Sequence, residues 1–245
     1  MGAPAILLPL ALAGAAGTIT PSGAEVPANL LRIEVHFDRP LPAVPMQAII
    51  LRDAAGKPIA DALLDIDLPD RDERGLVVLM QPGRIKHGVG PNLAVGPALH
   101  EGDRVSIEVR DPRLAHPLIR AWRVGPAYER KLVPAAWRLH APAARSKAPL
   151  VLGLTAAINA SAATLIAVAG ADGRRIPGKA SLARGETEWR FVPAAPWQAG
   201  RYQVRIHPSL EDPAGNRLCA AFEARRQSEL RCRDEARVDF RVVAR

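Results

Sequence analysis

Short runs in which apolar and polar residues alternate are the feature that most constrains the fold of this chain. In residues 198–222, Tyr202, Val204 and Ile206 alternate with polar residues, as in a half-buried strand. Residues 212–216 combine Asp, Pro, Gly and Asn, which favour a tight turn, and 218–222 predict a returning strand. Similar runs recur roughly every ten residues, and no long amphipathic helix interrupts them. The pattern predicts an all-β chain of the sandwich type.

The chain has 245 residues, which is enough for two domains of ordinary size. Alternation in 31–38 places Ile33 and Val35 on one face of a strand, and Glu34 and His36 on the outward face. We predict a first domain at 25–125, a linker at 126–135 and a second domain at 136–245.

The two predicted domains resemble each other internally, which indicates a tandem repeat. Gly56 and Gly173 lie in similar turns 117 positions apart, whereas Gly102 and Gly200, each before a strand, lie 98 apart. The difference of 19 residues predicts an insertion in the first domain. We place it in the Gly- and Pro-rich loop 81–98, because long loops on a β-scaffold often carry the binding residues.

The N-terminal segment predicts export. Residues 5–16 are apolar and end in small residues, with a cleavage option at 13–15, so 1–20 is interpreted as a signal peptide. The run is too short to cross a bilayer, and no later run approaches that length. We therefore expect a secreted or periplasmic protein without a transmembrane segment in the mature chain.

The net charge is +8 and the isoelectric point about 10.3, which raises the question of a nucleic-acid partner. No run of Lys and Arg exceeds two residues, and basic and acidic residues are mixed throughout. Aromatic residues do not interleave with the basic ones, as a base-stacking surface requires. The composition predicts interspersed surface charge and no nucleic-acid partner.

The order of these motifs resembles a known family. Tyr-x-Val-x-Ile followed by Glu-Asp-Pro-Ala-Gly-Asn-Arg-Leu is similar to the bacterial Ig-like domains first described in S-layer proteins, and 26–37 resembles their opening strand. The resemblance covers 25–245, although 111–117 lacks the Gly-Asn turn of the second domain. It implies two tandem Ig-like β-sandwich domains, export and no known catalytic residues.

The predicted function is that of an exported, non-catalytic binding or structural module of the bacterial cell envelope. Contacts are expected from loops of the first sandwich, above all from Arg84, Lys86 and His87 in loop 81–98. The expected partner is a protein or a surface polysaccharide of the envelope. We predict no cofactor, no metal ligands and no catalytic residues; the oligomeric state stays open.

The sequence leaves three alternative functions open. Exposed tryptophans would indicate a polysaccharide-binding accessory protein. A metal site could be assembled across loops from His87, His100 and His116, and a hydrolase could use two carboxylates, although nothing selects a pair. The acidic cluster is interpreted as a charged hairpin tip, because arginines are interspersed in it. The tryptophans are Trp122, Trp137, Trp189 and Trp197, and the cluster is Asp65, Asp67, Asp70, Asp72 and Glu73.

The two cysteines, Cys219 and Cys232, are expected to form one disulfide, because an exported chain with a single pair of cysteines commonly oxidises it. The pair has no C-x-x-C spacing, so zinc and redox sites are not predicted.

Overall fold

The computed structural model describes residues 14–86, 88–223 and 233–244, and it consists mostly of β-strands arranged in several sheets. The N-terminal half contains β1 (Gly17–Thr20), β2 (Glu25–Pro27), β3 (Arg32–Phe37), β4 (Ile49–Arg52), β5 (Gly75–Leu79), α1 (Gly90–Val95), β6 (Arg104–Val109) and β7 (Leu118–Gly125). The C-terminal half contains β8 (Arg138–His140), β9 (Leu150–Gly153), β10 (Ile166–Gly170), β11 (Gly178–Ala183), β12 (Glu188–Pro193), β13 (Gly200–Ile206) and β14 (Ala236–Val242). Short 3-10 helices lie at Met46–Ala48, Pro82–Arg84, Pro134–Ala136 and Ala160–Leu165.

Two sheets share one hydrophobic core in the N-terminal half. One sheet has the order β1-β3-β5 and the other β2-β7-β6-β4, with antiparallel pairs except for β2 beside β7. Ile33 and Val35 of the first sheet and Leu51, Ile107 and Trp122 of the second are buried in the same cluster. Inward-facing residues of two sheets forming one core are the defining feature of a sandwich.

The C-terminal half repeats this arrangement around its own core. Its sheets have the orders β11-β12-β9-β8 and β10-β13-β14. The predicted alternation is confirmed in β13, where Val204 and Ile206 are fully buried. Trp197 packs edge-on against Tyr202 and Phe240, with ring centroids 5.3 and 6.2 Å away. Such edge-to-face contacts add to the burial of the aromatic rings.

Strand pairing matches between the halves. Leu51 lies opposite Ile107, and Val168, 117 positions after Leu51, lies opposite Val204. Val204 follows Ile107 by only 97 positions, so the N-terminal half is longer by 20 residues between these strands. The turns after β4 and β10 also match, since Arg52 bridges Pro58 and Ala169 bridges Arg175.

The additional residues fall in two places. Val35 opposite Leu76 matches Leu152 opposite Trp189, and Trp189 follows Leu76 by 113 positions. Four additional residues therefore precede β5, and 16 lie between β5 and β6. The predicted insertion of 19 residues was one short and assigned entirely to 81–98. The prediction aligned Gly102 with Gly200, an offset of 98 positions. The inward-facing residues of the strands instead align Val105 with Tyr202, an offset of 97.

Two strands that the residue pattern predicts, at 63–68 and at 218–222, are absent. In 218–222 the chain turns, with Arg217 N–H donating to the Ala220 carbonyl at 2.9 Å, and Phe222 packs against the core of the N-terminal half. Residues 63–69 are extended but make only isolated bridges, one of them between Leu63 and Met80. Long-range packing overrides the local pattern in both segments.

The N-terminal boundary also differs from the expected one. β1 occupies 17–20, inside the predicted signal peptide, and Ile19 and Ala15 are buried in the core. Cleavage after residue 20 would remove a paired strand, so any cleavage compatible with this core lies before Ala15. In the part of the chain that the structure describes, no helix has the length and apolar character needed to cross a bilayer.

Candidate binding surfaces

Loop 81–98 lies between β5 and β6 and is fixed by Arg84. This side chain is only 8% exposed, and its guanidinium donates to the carbonyls of Gly96 and Ala60 at 2.9 and 2.7 Å. Arg84 was predicted to contact a partner. The structure instead shows that its charge satisfies two backbone carbonyls and holds the two ends of the loop together.

The other predicted contact residues of the loop also differ from a free basic patch. The Lys86 ammonium lies 4.3 Å from the ring centroid of Phe222, a cation–π contact with a residue from the C-terminal half. His87 lies outside the described residues. The structure therefore does not bring Arg84 and Lys86 together as an exposed cationic site.

The loop instead exposes aliphatic side chains on α1. Leu93 is 76% exposed and Val95 63%, whereas Ile85 at the base of the loop is buried. The prediction from sequence assigned the contacts of this loop to Arg84, Lys86 and His87 and did not identify the exposed aliphatic side chains. The available signal was the Gly90-Pro91 step, since Pro favours the first turn of a helix and the helix turns Leu93 away from the core.

The second candidate surface is the contact between the two halves, which we call the seam. It is formed by residues 20–36, 158–161, 186 and 211–217. The Pro213 carbonyl accepts hydrogen bonds from the backbone N–H groups of Leu31 and Arg32, at 2.8 and 3.0 Å. Asn216 is fully buried, and its Nδ2 donates to the Tyr128 carbonyl at 2.8 Å. The turn at 212–216 thus joins the halves and is not a solvent-exposed hairpin tip.

Two buried carboxylates cross the seam in opposite directions. Glu34 accepts hydrogen bonds from the backbone N–H and the hydroxyl of Ser161, at 2.8 and 2.5 Å. Glu186 accepts the same two bonds from Ser22, at 2.7 and 2.6 Å. Each half therefore presents a carboxylate to a serine of the other half, and hydrogen bonds to an ionised acceptor are the stronger kind.

The electrostatics of the seam favour a charged Glu34. Burial disfavours its charged form, but the contact with His36 and the hydrogen bonds from Ser161 outweigh burial, so the pKa of Glu34 lies below its ordinary value. The pKa of His36 is raised, chiefly by its interaction with the Glu34 carboxylate. In contrast, burial raises the pKa of Asp212 to about 6.

The seam does not form an open catalytic pocket. The gap bordered by Thr20, Glu34 and Glu186 has no space large enough for a water molecule. Two carboxylates that hydrolyse a substrate need access for the substrate and a water molecule. The arrangement is therefore suited to holding the two halves together.

The remaining candidates are placed as follows. All four tryptophans are buried, between 0% and 7% exposed, so none can stack on a sugar ring. The acidic residues at 70–73 form a turn in which Glu73 N–H donates to the Asp70 carbonyl at 3.0 Å, as predicted for a hairpin tip. His100 is paired with Asp103 at 3.3 Å.

Two predictions involve residues that the structure does not describe. The alternative metal site includes His87. Among the described residues, no three His, Cys, Asp or Glu side chains converge as metal ligands would. Cys232, the predicted partner of Cys219, also lies outside the described residues, so the disulfide stays a prediction.

No protein-family model matches the chain, and no curated protein matches it in sequence. Solved titin structures align with it loosely. A chimeric titin Z1Z2 functionalised with a KLER exogenous peptide from decorin shows 13% identity and a TM-score of 0.30, over 96% of this chain and 99% of that one. The titin domains Z1Z2 in complex with telethonin show 11% identity and a TM-score of 0.25, over 94% and 96% of the two chains. At these TM-scores the alignments support no conclusion about fold or function.

Proposed function

We propose that this chain is an exported, non-catalytic binding module of the bacterial cell envelope. It consists of two tandem Ig-like sandwiches, the first comprising β1 together with 25–125 and the second 136–245, and contacts a protein partner through loop 81–98 of the first. The matched strand pairing of the two halves supports the tandem arrangement. The apolar segment before the first strand supports export to the periplasm or the exterior.

One observation carries the functional proposal: the exposed pair Leu93 and Val95 on α1. The two side chains lie two positions apart and so project from different sides of α1, and two large aliphatic side chains exposed on one fixed loop favour a protein contact. Arg84 fixes the ends of the loop, which lowers the entropy cost of binding. A polysaccharide partner bound by stacking is not favoured, because the tryptophans are buried.

The non-catalytic assignment rests on the closed seam, where the buried carboxylates Glu34 and Glu186 are used to bind serines of the opposite half.

We also propose the disulfide Cys219–Cys232 as part of the exported state. Alkylation of the two thiols only after reduction would support it, and alkylation of the native protein without reductant would contradict it.

Affinity capture from the native envelope tests the loop contact. The variant Leu93→Ser/Val95→Ser should capture about tenfold less partner than the wild type, because it removes the two exposed aliphatic side chains. The control Ile119→Ser/Val192→Ser removes two exposed aliphatic side chains from strands and should capture as the wild type does. Equal capture by wild type and both variants would overturn the proposal.

A further inference from the structure

Two pairs of exposed arginines occupy matching positions in the two halves. Arg104 on β6 lies directly opposite Arg123 on β7, and Arg201 on β13 lies directly opposite Arg241 on β14. All four residues are exposed. Like charges placed directly opposite in an antiparallel pair are destabilising. The same unfavourable pair at the same register in both halves indicates a role that requires two guanidinium groups side by side.

The two positions are equivalent by strand register. The Arg104–Arg123 pair directly precedes the inward pair Val105–Trp122, and the Arg201–Arg241 pair directly precedes Tyr202–Phe240. Both pairs therefore lie at the same end of the outer face of a sheet. Alternation along each strand points them away from the core.

A third arginine pair in the chain shows what such a pair binds. Arg205 and Arg237 also face each other across β13 and β14. The Glu235 carboxylate lies between them, 3.0 Å from Nε of Arg205 and 2.7 Å from Nε of Arg237. The hydrogen bond from Arg205 is the main reason that the pKa of Glu235 is lowered. Here the chain supplies its own carboxylate.

The other two pairs lack such a partner. Within the described ranges, Arg104, Arg201 and Arg241 make no ion pair. Among the residues that the structure describes, the Arg123 guanidinium approaches only the Glu25 carboxylate, at 4.0 Å. Both side chains are more than half exposed, so this contact contributes little. Arg104 and Arg123 also line an open groove of about 600 Å³. Asp53 lines it too, but its carboxylate accepts hydrogen bonds from the backbone N–H groups of Ala55 and Lys57. Both pairs are therefore accessible to an external anion.

We propose that the arginine pairs Arg104–Arg123 and Arg201–Arg241 bind carboxylates of an acidic polysaccharide. Two guanidinium groups can hold one carboxylate by several charge-assisted hydrogen bonds, as Glu235 shows. A polymer with repeated acidic groups can engage both pairs, which raises its overall affinity. This ionic site is separate from loop 81–98 and does not use aromatic stacking.

The structure favours a polysaccharide over a nucleic acid. No aromatic side chain of the described residues falls in the exposed class, so no base-stacking platform accompanies the arginines. Acidic side chains also interrupt the basic face. Asp239, next to the Arg201–Arg241 pair, accepts a hydrogen bond from Gln203 at 2.8 Å.

Binding of the full chain to immobilised polygalacturonate tests this proposal, with dextran as the neutral polymer. The variants Arg104→Gln/Arg123→Gln and Arg201→Gln/Arg241→Gln should each bind polygalacturonate about tenfold more weakly. The matched control Arg130→Gln/Arg138→Gln loses the same charge from exposed sites. Arg138 has Gly153 opposite it and no second arginine, so the control should change binding less than about twofold.

Four results would overturn the proposal. Unchanged binding by both pair variants, or an equal loss in the control, would show that the pairs have no special role. Tighter binding to single-stranded DNA or to poly-glutamate than to polygalacturonate would assign the site to another class of partner. Thermal melting separates folding from binding, because removal of the like-charge repulsion should leave Tm unchanged or raise it. A clear fall in Tm for both pair variants would indicate a structural role instead.

Discussion

Gly215 shows at the scale of one residue how the turn at 212–216 joins the two halves. Its backbone has a φ of 81°, which side chains with a Cβ rarely adopt. A Cβ at this position would lie 2.6 Å from Cδ2 of Leu31 and 3.2 Å from the ring of Phe222. Glycine is therefore required here for conformation and for close approach.

Gly215→Ala is expected to lower the free energy of unfolding by roughly 2–4 kcal/mol, because strain and overpacking add. The matched control is Gly173→Ala, where φ is 75° and nothing lies within 4 Å of the added Cβ. It should cost only about 1 kcal/mol. Urea unfolding of both variants measures the difference, and equal losses would show that Gly215 does not pack at the seam as described.

Asp212 gives the molecule a specific pH dependence. It is 1% exposed, and burial raises its pKa from the ordinary 3.8 to about 6. The folded state therefore binds the proton more tightly than the unfolded state between these values. The contribution of Asp212 to stability is therefore greatest below about pH 4, falls as the pH rises from about 4 to about 6, and is constant above that.

The variant Asp212→Asn removes this titration. The unfolding free energy of the wild type relative to the variant should fall by roughly 2 kcal/mol between pH 4 and pH 7. The loss of acceptor capacity toward Asn216 affects the variant at every pH and does not alter this slope. A difference that stays constant from pH 4 to pH 7 would contradict the raised pKa.

At the scale of elements, the strands were predicted more reliably than the loop. Alternation identified β13 and its inward residues, because a sheet with one buried face imposes period two on the sequence. The same rule placed Glu34 on the outer face of its sheet, which is correct, but it did not predict that this face is buried. The C-terminal half covers that outer face and buries Glu34 to 3% exposure. Contacts over 127 positions leave no local pattern in the sequence.

Loop 81–98 was located from its length, but its internal structure was not predictable. The contacts of Arg84 are with backbone carbonyls, and any residue type at Gly96 or Ala60 offers the same carbonyl. Exposure of Leu93 depends on the direction in which α1 leaves the loop, which the sequence constrains only weakly.

Arg84→Ala is expected to loosen the loop without unfolding the sandwich. The amides of 93–98, including Ala98 N–H, which donates to the Arg84 carbonyl at 2.9 Å, should exchange with solvent about tenfold faster. Lys86→Ala leaves both guanidinium bonds intact and should not change exchange in 93–98. Hydrogen exchange measured by mass spectrometry checks this, and unaltered exchange in Arg84→Ala would contradict the role of Arg84.

At the scale of the whole molecule, the seam determines whether the two halves behave as one unit. The bonds of Glu34 with Ser161 and of Glu186 with Ser22 are buried and charge-assisted. We expect the wild type to unfold in a single transition. Glu34→Gln/Glu186→Gln should lose at least about 2 kcal/mol of coupling and melt in two resolved transitions.

Calorimetry measures this coupling, with Glu101→Gln as the control, because Glu101 is exposed and lies in a turn away from the seam. The control should melt as the wild type does. Two transitions in the wild type, or one unchanged transition in the double variant, would show that these carboxylates do not couple the halves.

Photo-crosslinking in intact source cells tests the central claim, contact with an envelope protein through loop 81–98, most directly. A photoreactive amino acid would replace Leu93, and in a second variant it would replace Ile119, which is 65% exposed on β7. The account predicts one discrete protein adduct in the envelope fraction from position 93 and none from position 119. No adduct from position 93, or the same adduct from both positions, would contradict it.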